Sequence, residues 1–382
     1  MTDNSSLGRV GVVGAGTMGA GIAQLAVTGG MDAMLYDPDP KALFGGVDRA
    51  VGSIERGVEQ GRQTAEASVA AIGRLRPAPR LDDLAGCELV IEAAPEELEL
   101  KRELFGRLER ACGPEAVLAS NTSSLSVTAI AEGTERPERV VGMHFFNPPP
   151  AMKLVEVVAG ARSGEPALAA VEGLAEAMGR TPIRARDSVG FVANRCARPY
   201  SLEALRMLAE EVADHEQIDR ICRLGGGFRM GPFELIDLIG VDVNLAVASS
   251  FYERSGGEPR WRPSELQRAM VVEGRLGRKS GRGFYEYTSG ERREPDPEVD
   301  AELPLFERAE LEAVAGPLAP QVLGRIAAQI ANEAAFALAD RVASPADIDT
   351  AMRLGFNWPA GPLEFAERLG PDRAVALLDE LR

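Results

Sequence analysis

The sequence predicts an α/β domain built on a parallel sheet, followed by two repeated all-α domains. Three observations carry that expectation. Short apolar runs alternate with amphipathic stretches as far as about residue 186, strand signals nearly vanish beyond it, and a block of the helical half recurs 130 residues later. Residues 9–13 (RVGVV) form a β-branched apolar run, the segment GAGTMGAG follows, residues 22–27 have helical spacing, and residues 33–36 form a second apolar run. The order is strand, glycine turn, helix, strand. Further runs at 89–91, 116–119 and 140–146 are separated by segments such as 97–111 that read as amphipathic helix. Such alternation argues for a parallel sheet covered on both faces.

After about residue 187 the texture changes. Residues 194–212 and 216–224 carry helical spacing, and residues 223–240 (RLGGGFRMGPFELIDLIG) match 353–370 (RLGFNWPAGPLEFAERLG) at R-L-G, G-P-x-E and a final Gly. The pair Ile218-Asp219 likewise recurs as Ile348-Asp349. Matched spacing over separate blocks argues for a duplicated helical domain rather than chance. Residues 288–303 are charged, contain two prolines and lack an apolar period, which suits a linker. The expected organisation is therefore residues 1–186 as the α/β domain, 187–287 as the first helical copy, 288–310 as linker and 311–382 as the second copy.

Composition bounds the function. A chain of 382 residues with 45% hydrophobic and 26% charged residues is ordinary globular material for two or three domains. Its net charge of −16 would repel a phosphate backbone and an anionic membrane surface, so neither nucleic acid nor membrane is expected as partner. The cysteines (Cys87, Cys112, Cys196, Cys222) form no C-x-x-C pair, which suits free thiols in a reducing compartment. No amino-terminal signal and no long apolar stretch is present, so the chain reads as a cytoplasmic protein. Lysine occurs only at Lys41, Lys101, Lys153 and Lys279.

Gly14-x-Gly16-x-x-Gly19 stands between a strand and a helix, with Thr17 and Met18 completing the turn. The first glycine permits the tight turn, the second lets the backbone approach a pyrophosphate, and the third packs helix on strand. The helix amino terminus adds unpaired N–H groups and partial positive charge. Alone, such a triplet is weak evidence. Asp37, ending the second strand 21 residues after Gly16, strengthens it, because a carboxylate there accepts from the ribose hydroxyls and repels a 2′-phosphate. The expectation is a Rossmann-type domain that takes NAD rather than NADP.

Only His144 and His215 could serve as imidazole bases. His144 lies in VVGMHFFNPPPAMKLVEVV, where a strand runs into a proline-rich turn and a second strand carries Glu156. A carboxylate on that neighbouring strand can fix the imidazole tautomer, leaving the other nitrogen to take a proton from an alcohol. His215 is expected at a helix end, without a functional role, and Lys153 at a strand edge or rim.

SNTSSL at 120–125, HFFNPPP at 144–150, MKLVEVV at 152–158, GFVANR at 190–195 and GRKSGRGFYEY at 277–287 together resemble the L-3-hydroxyacyl-CoA dehydrogenase family, in the same order and over nearly the whole chain. The resemblance implies that His144 is the catalytic base and Glu156 its partner. It assigns Ser123 and Asn194 to the substrate's 3-oxygen and thioester region, where neutral donors steady an oxygen without competing for the proton. Glu96 and Lys101, in EAAPEELELKRELF, match residues beside the nicotinamide ribose. Ser53 falls near the coenzyme A moiety, although Gln60 stands where a lysine is expected, with Arg56 and Arg62 nearby.

The implied activity is NAD-dependent oxidation of a short- or medium-chain L-3-hydroxyacyl-CoA to the 3-ketoacyl-CoA, as in fatty-acid β-oxidation, without a metal. Two alternatives remain: a dehydrogenase of a free 3-hydroxy acid such as L-gulonate, or a non-catalytic relative of the lambda-crystallin kind. Shorter family members complete the site and dimerise through a single helical domain. Here Asn194 is matched in the second copy by Gly324. Copy one is thus expected to keep the substrate role, while copy two packs against it and imitates a partner subunit, which weakens the need for homodimerisation and leaves a monomeric internal pseudo-dimer or a homodimer as the expected state.

Overall fold

The computed structural model describes residues 8–287, 298 and 302–381. The chain divides into two compact units, with the break between Phe191 and Val192. The sequence expectation put the first break at 186, and both helical copies fall within the second unit.

The first unit opens with β1 (Arg9–Val13), α1 (Thr17–Thr28), β2 (Asp32–Tyr36), α2 (Pro40–Glu59), α3 (Ala65–Ile72) and β3 (Leu75–Ala78). It continues with β4 (Leu89–Glu92), α4 (Leu98–Ala111), β5 (Val117–Ser120), α5 (Val127–Ala131), β6 (Val140–Phe145), β7 (Leu154–Ala159), α6 (Glu165–Ala177) and β8 (Thr181–Arg186). The strands form one sheet in the order β3-β2-β1-β4-β5-β6-β7-β8. The first six positions follow the doubly wound dinucleotide-binding order, with its crevice where β1 meets β4.

Every neighbouring pair is parallel except β6 and β7. The sheet is thus parallel apart from that one pair. The connection from β6 to β7 is too short for a crossover helix, so the chain folds straight back. The central strands are buried on both faces, and β4 (LVIE) and β5 (VLAS) have no exposed residue. Val12, Leu35, Ile91, Val141, Met143 and Val157 form the core beneath α1 and α6.

The second unit is helical: α7 (Ala193–Ala209), α8 (His215–Leu224), α9 (Pro232–Ile239), α10 (Val241–Arg254), α11 (Glu265–Val272), α12 (Arg308–Ala315), α13 (Ala319–Ala339), α14 (Pro345–Gly355), α15 (Pro362–Leu369) and α16 (Pro371–Glu380). A shift of 130 residues carries the starts of α8, α9 and α10 onto those of α14, α15 and α16. Local detail repeats as well. Asp219 accepts the N–H of Phe233, and Asp349 accepts that of Leu363. Glu211 and Arg341, equivalent under the same shift, both take positive φ after their helices.

α7 packs on α13, α7 meets α14, and α13 meets α8, so the two copies exchange contacts reciprocally. Ion pairs do the same: Arg195 meets Glu333 and Asp340, while Arg325 meets Glu203 and Glu210.

Of the expected linker, residues 288–297 and 299–301 lie outside the described residues. Its end is held down, since Leu305 donates its N–H to Gly225 and its side chain is buried with that of Phe306. The helix α12 begins three residues before the expected start of the second copy. Among the described residues, no single helix is long and apolar enough to cross a membrane.

Candidate active site

The glycine turn is set by two close approaches. Gly14 has φ +96°, and a Cβ there would lie 2.5 Å from the Ala93 carbonyl oxygen. A Cβ on Gly19 would lie 1.7 Å from the oxygen of Gly14, so α1 can meet β1 only with glycine at this position. Gly16 faces open space, and Thr17 and Met18 form the first turn of α1. Asp37, just beyond β2, accepts the Ala15 N–H at 2.8 Å and the Asp39 N–H at 3.0 Å, which fixes its carboxylate against the turn. Arg49 of α2 donates to the Ala15 carbonyl.

A cavity of 550 Å³ opens here, lined by Gly16, Asp37, Arg49, Ala94, Leu100 and Arg107 among others. Its size and its place beyond the carboxyl ends of β1, β2 and β4 suit a dinucleotide. A second cavity, of 690 Å³, lies at the opposite strand ends around Cys87, Val117 and Arg139, and holds none of the expected site residues.

At the end of β4 stands a polar cluster that sequence reasoning saw only in part. Lys101, 1% exposed, places Nζ 2.6 Å from Glu92 and 3.4 Å from Glu96. Glu92 also accepts from the Ser120 hydroxyl and the Ala94 N–H, each at 2.6 Å. Glu96 accepts from the Thr122 hydroxyl at 2.6 Å, from the N–H groups of Ser123 and Ser124 at 3.0 Å, and from the Ser124 hydroxyl at 2.9 Å. Burial by itself would raise the Glu96 carboxyl, but the Thr122 hydroxyl, the Lys101 ammonium and Ser124 together hold it below the usual carboxylate value. Glu96, Lys101 and Ser123 are therefore brought together. Glu92, Ser120 and Thr122 were missed, although Glu92 heads the same EAAPEELELK run and its carboxylate is the closest charge to Lys101.

His144 and Glu156 sit directly opposite each other in the antiparallel β6–β7 ladder. Opposed residues share a face with their Cβ atoms about 5 Å apart, so an imidazole and a carboxylate meet without strain. Nδ1 of His144 lies 2.6 Å from Oε2 of Glu156, with both side chains buried. An ionised carboxylate only accepts, so Nδ1 carries the hydrogen and Nε2 is left for a substrate proton. The rings of Phe146 and Phe191 pack against the imidazole at 4.6 and 5.8 Å. The Asn121 side-chain oxygen accepts the Phe145 N–H at 2.9 Å, tying the serine loop to the strand that carries His144.

Asn194 is the second residue of α7, in the helical unit, and is half-buried. Ser53 lies half-buried on α2 and does not line the cofactor cavity. His215 is the first residue of α8, its ring packed edge-on against Tyr285 at 4.8 Å. Among the described residues, no group of three His, Cys, Asp or Glu side chains is placed to hold a metal.

A glycine turn with an acidic strand end and, on the same sheet, an imidazole held on a carboxylate are the parts of an NAD-dependent oxidoreductase of an alcohol carbon. Comparison with known proteins gives the family. Residues 9–188 match the NAD-binding domain model of 3-hydroxyacyl-CoA dehydrogenase. The carboxy-terminal domain model of that family matches twice, over 190–287 and 322–382. The chain belongs to the 3-hydroxyacyl-CoA dehydrogenase family.

It is 38% identical to the 3-hydroxyadipyl-CoA dehydrogenase of Escherichia coli K12, over 98% of this chain and 93% of that protein. A probable 3-hydroxybutyryl-CoA dehydrogenase of Bacillus subtilis is 43% identical, over 73% of this chain and 97% of its own length. The crystal structure of a 3-hydroxybutyryl-CoA dehydrogenase from Escherichia coli K12 superimposes with a TM-score of 0.88 at 37% identity, covering 98% of this chain and 94% of that one.

Proposed function

We propose that this dehydrogenase oxidises short- or medium-chain L-3-hydroxyacyl-CoA to the 3-ketoacyl-CoA with His144 as general base, in acyl-chain degradation. The observation that carries the reading is the 2.6 Å contact between His144 and Glu156, on the sheet that also carries the glycine turn. Nε2 of His144 takes the hydroxyl proton as the C3–H bond breaks, and the buried Glu156 carboxylate stabilises the imidazolium that results. NAD, when bound, accepts the hydride from C3. Ser123 and Asn194 are assigned to the substrate oxygen as neutral hydrogen-bond donors. Gly14, Gly16, Thr17, Met18 and Gly19 are assigned to the pyrophosphate and Asp37 to the adenosine ribose. Glu96 and Lys101 are assigned to the nicotinamide ribose, and Ser53 to the coenzyme A side of the substrate. In reverse, His144 donates as the imidazolium, so reduction gains as pH falls.

The names of the relatives support coenzyme A thioesters over free acids. The test is NADH formation with L-3-hydroxybutyryl-CoA and with free L-3-hydroxybutyrate. The thioester alone should react; turnover of the free acid at a comparable rate would favour the alternative class.

The two helical copies are assigned to an internal pseudo-dimer, with the chain working as a monomer in the cytoplasm. The reciprocal ion pairs between copies support this, as does the Bacillus subtilis relative, whose nearly complete length matches only 73% of this chain. Sedimentation should give one chain per particle. An obligate dimer formed through residues 190–287 would contradict the assignment.

A further inference from the structure

The helix α7 has two polar faces that the duplication treats differently. Arg195, Glu203 and Glu210, which meet the second copy, return 130 residues later as Arg325, Glu333 and Asp340. Asn194 and Arg198, one turn apart on another face, return as Gly324 and Ala328. The face that joins the copies is retained in both. The other is polar in the first copy alone.

Arg198 is 7% exposed, and its Nε and Nη1 have no hydrogen-bond partner among the described residues. The Phe251 ring lies 5.8 Å from the guanidinium carbon. Burial pushes this arginine down to about 10, so it still carries its charge at neutral pH. A buried cation without an acceptor is costly, and a pairing anion would remove much of that cost. The position shows no structural need for the charge, since the equivalent Ala328 is accommodated in the same helix of the second copy, fully buried.

We propose that Arg198 receives the terminal carboxylate of a dicarboxylic 3-hydroxyacyl-CoA. The proposal rests on the function assigned above, in which Asn194 holds the substrate near its reacting carbon. Four helical residues rise about 6 Å, and the three bonds from C3 to the terminal carboxyl carbon of a six-carbon diacid span about 4 Å, so an arginine one turn beyond Asn194 is within reach. A monocarboxylic acyl tail would leave the guanidinium unpaired.

The test compares kcat/KM for L-3-hydroxyadipyl-CoA and L-3-hydroxyhexanoyl-CoA, which share chain length and differ in the terminal carboxylate. The wild-type enzyme should prefer the diacid by about tenfold or more, the worth of one charged hydrogen bond. Arg198→Met should abolish that preference by losing on the diacid, and Arg198→Lys should retain part of it. No preference in the wild-type enzyme would overturn the proposal even if neither variant folds. Equal loss on both thioesters in Arg198→Met would also overturn it, by making the arginine structural. Absence of NADH from every 3-hydroxyacyl-CoA would overturn the underlying function instead, and the proposal with it.

Discussion

Arg195 places Nε 2.6 Å from Glu333, and the same pair recurs with the copies exchanged, Arg325 Nε donating to Glu203 at 2.7 Å. Residue i meeting j while j's counterpart meets i's is the signature of a two-fold interface, here closed within one chain. Glu333 carries more than its mirror image, since Arg260 and the Trp261 indole also donate to it. Glu333→Ala leaves buried Arg195 with Asp340 alone and takes a shared acceptor from Arg260 and Trp261, and should cost about 3–5 kcal/mol. Urea denaturation reads that loss, and Glu203→Ala should act in the same direction through Arg325.

The Asp37 carboxylate, proposed above to take the adenosine ribose, is oriented by two backbone N–H groups. Asp37→Ala removes both the ribose acceptor and the charge that repels a 2′-phosphate. The expected result is about a tenfold to hundredfold fall in kcat/KM for NAD, with the discrimination against NADP reduced. Steady-state kinetics with the two cofactors measures it.

Glu92 is the charge on which Lys101 depends. Glu92→Gln leaves an ammonium 1% exposed with the 3.4 Å contact to Glu96 as its one remaining ion pair beside the bond to the Ala94 carbonyl, so the cluster should loosen. KM for NAD should rise about tenfold or more, while Ser120→Ala, which leaves the ion pair intact, should have a smaller effect. Equal effects from both would point to packing rather than charge.

Much of this architecture is legible from residues 9–37, where a β-branched run, a glycine turn and an acidic strand end come in fixed order, and from the 130-residue repeat. The His144–Glu156 pair was legible too, because both residues flank one proline-rich turn. β3 and β8 were not. Their sequences, LRPA and TPIRAR, carry proline and arginine that an edge strand tolerates but that erase the apolar signal. The reversal of β7 depends on the length of a connection rather than on any motif. Glu92 was hidden because its importance comes from a fold that buries it against Lys101, and the unpaired state of Arg198 is likewise a property of packing.

Burial pushes the Asp219 carboxyl up to about 7, against the bonds it accepts from the Phe233 N–H and the Tyr285 hydroxyl. The folded chain then keeps a proton that the unfolded chain releases near its ordinary value of about 3.9. The stabilisation is full at low pH, declines as pH rises from about 4 to about 7, and is gone above. Asp219→Asn does not titrate. Denaturation at about pH 5 and about pH 8 should show wild type losing stability relative to this variant at the higher pH. A difference independent of pH would contradict the assignment.

The central claim is that one imidazole, held on Glu156, moves the substrate proton. His144→Gln keeps a polar side chain of similar reach but cannot act as base at neutral pH. Turnover of L-3-hydroxybutyryl-CoA and NADH binding by fluorescence, measured on the same preparation, test it most directly. The account predicts a fall in kcat of about a hundredfold or more with NADH affinity nearly unchanged; turnover at the wild-type rate would contradict it.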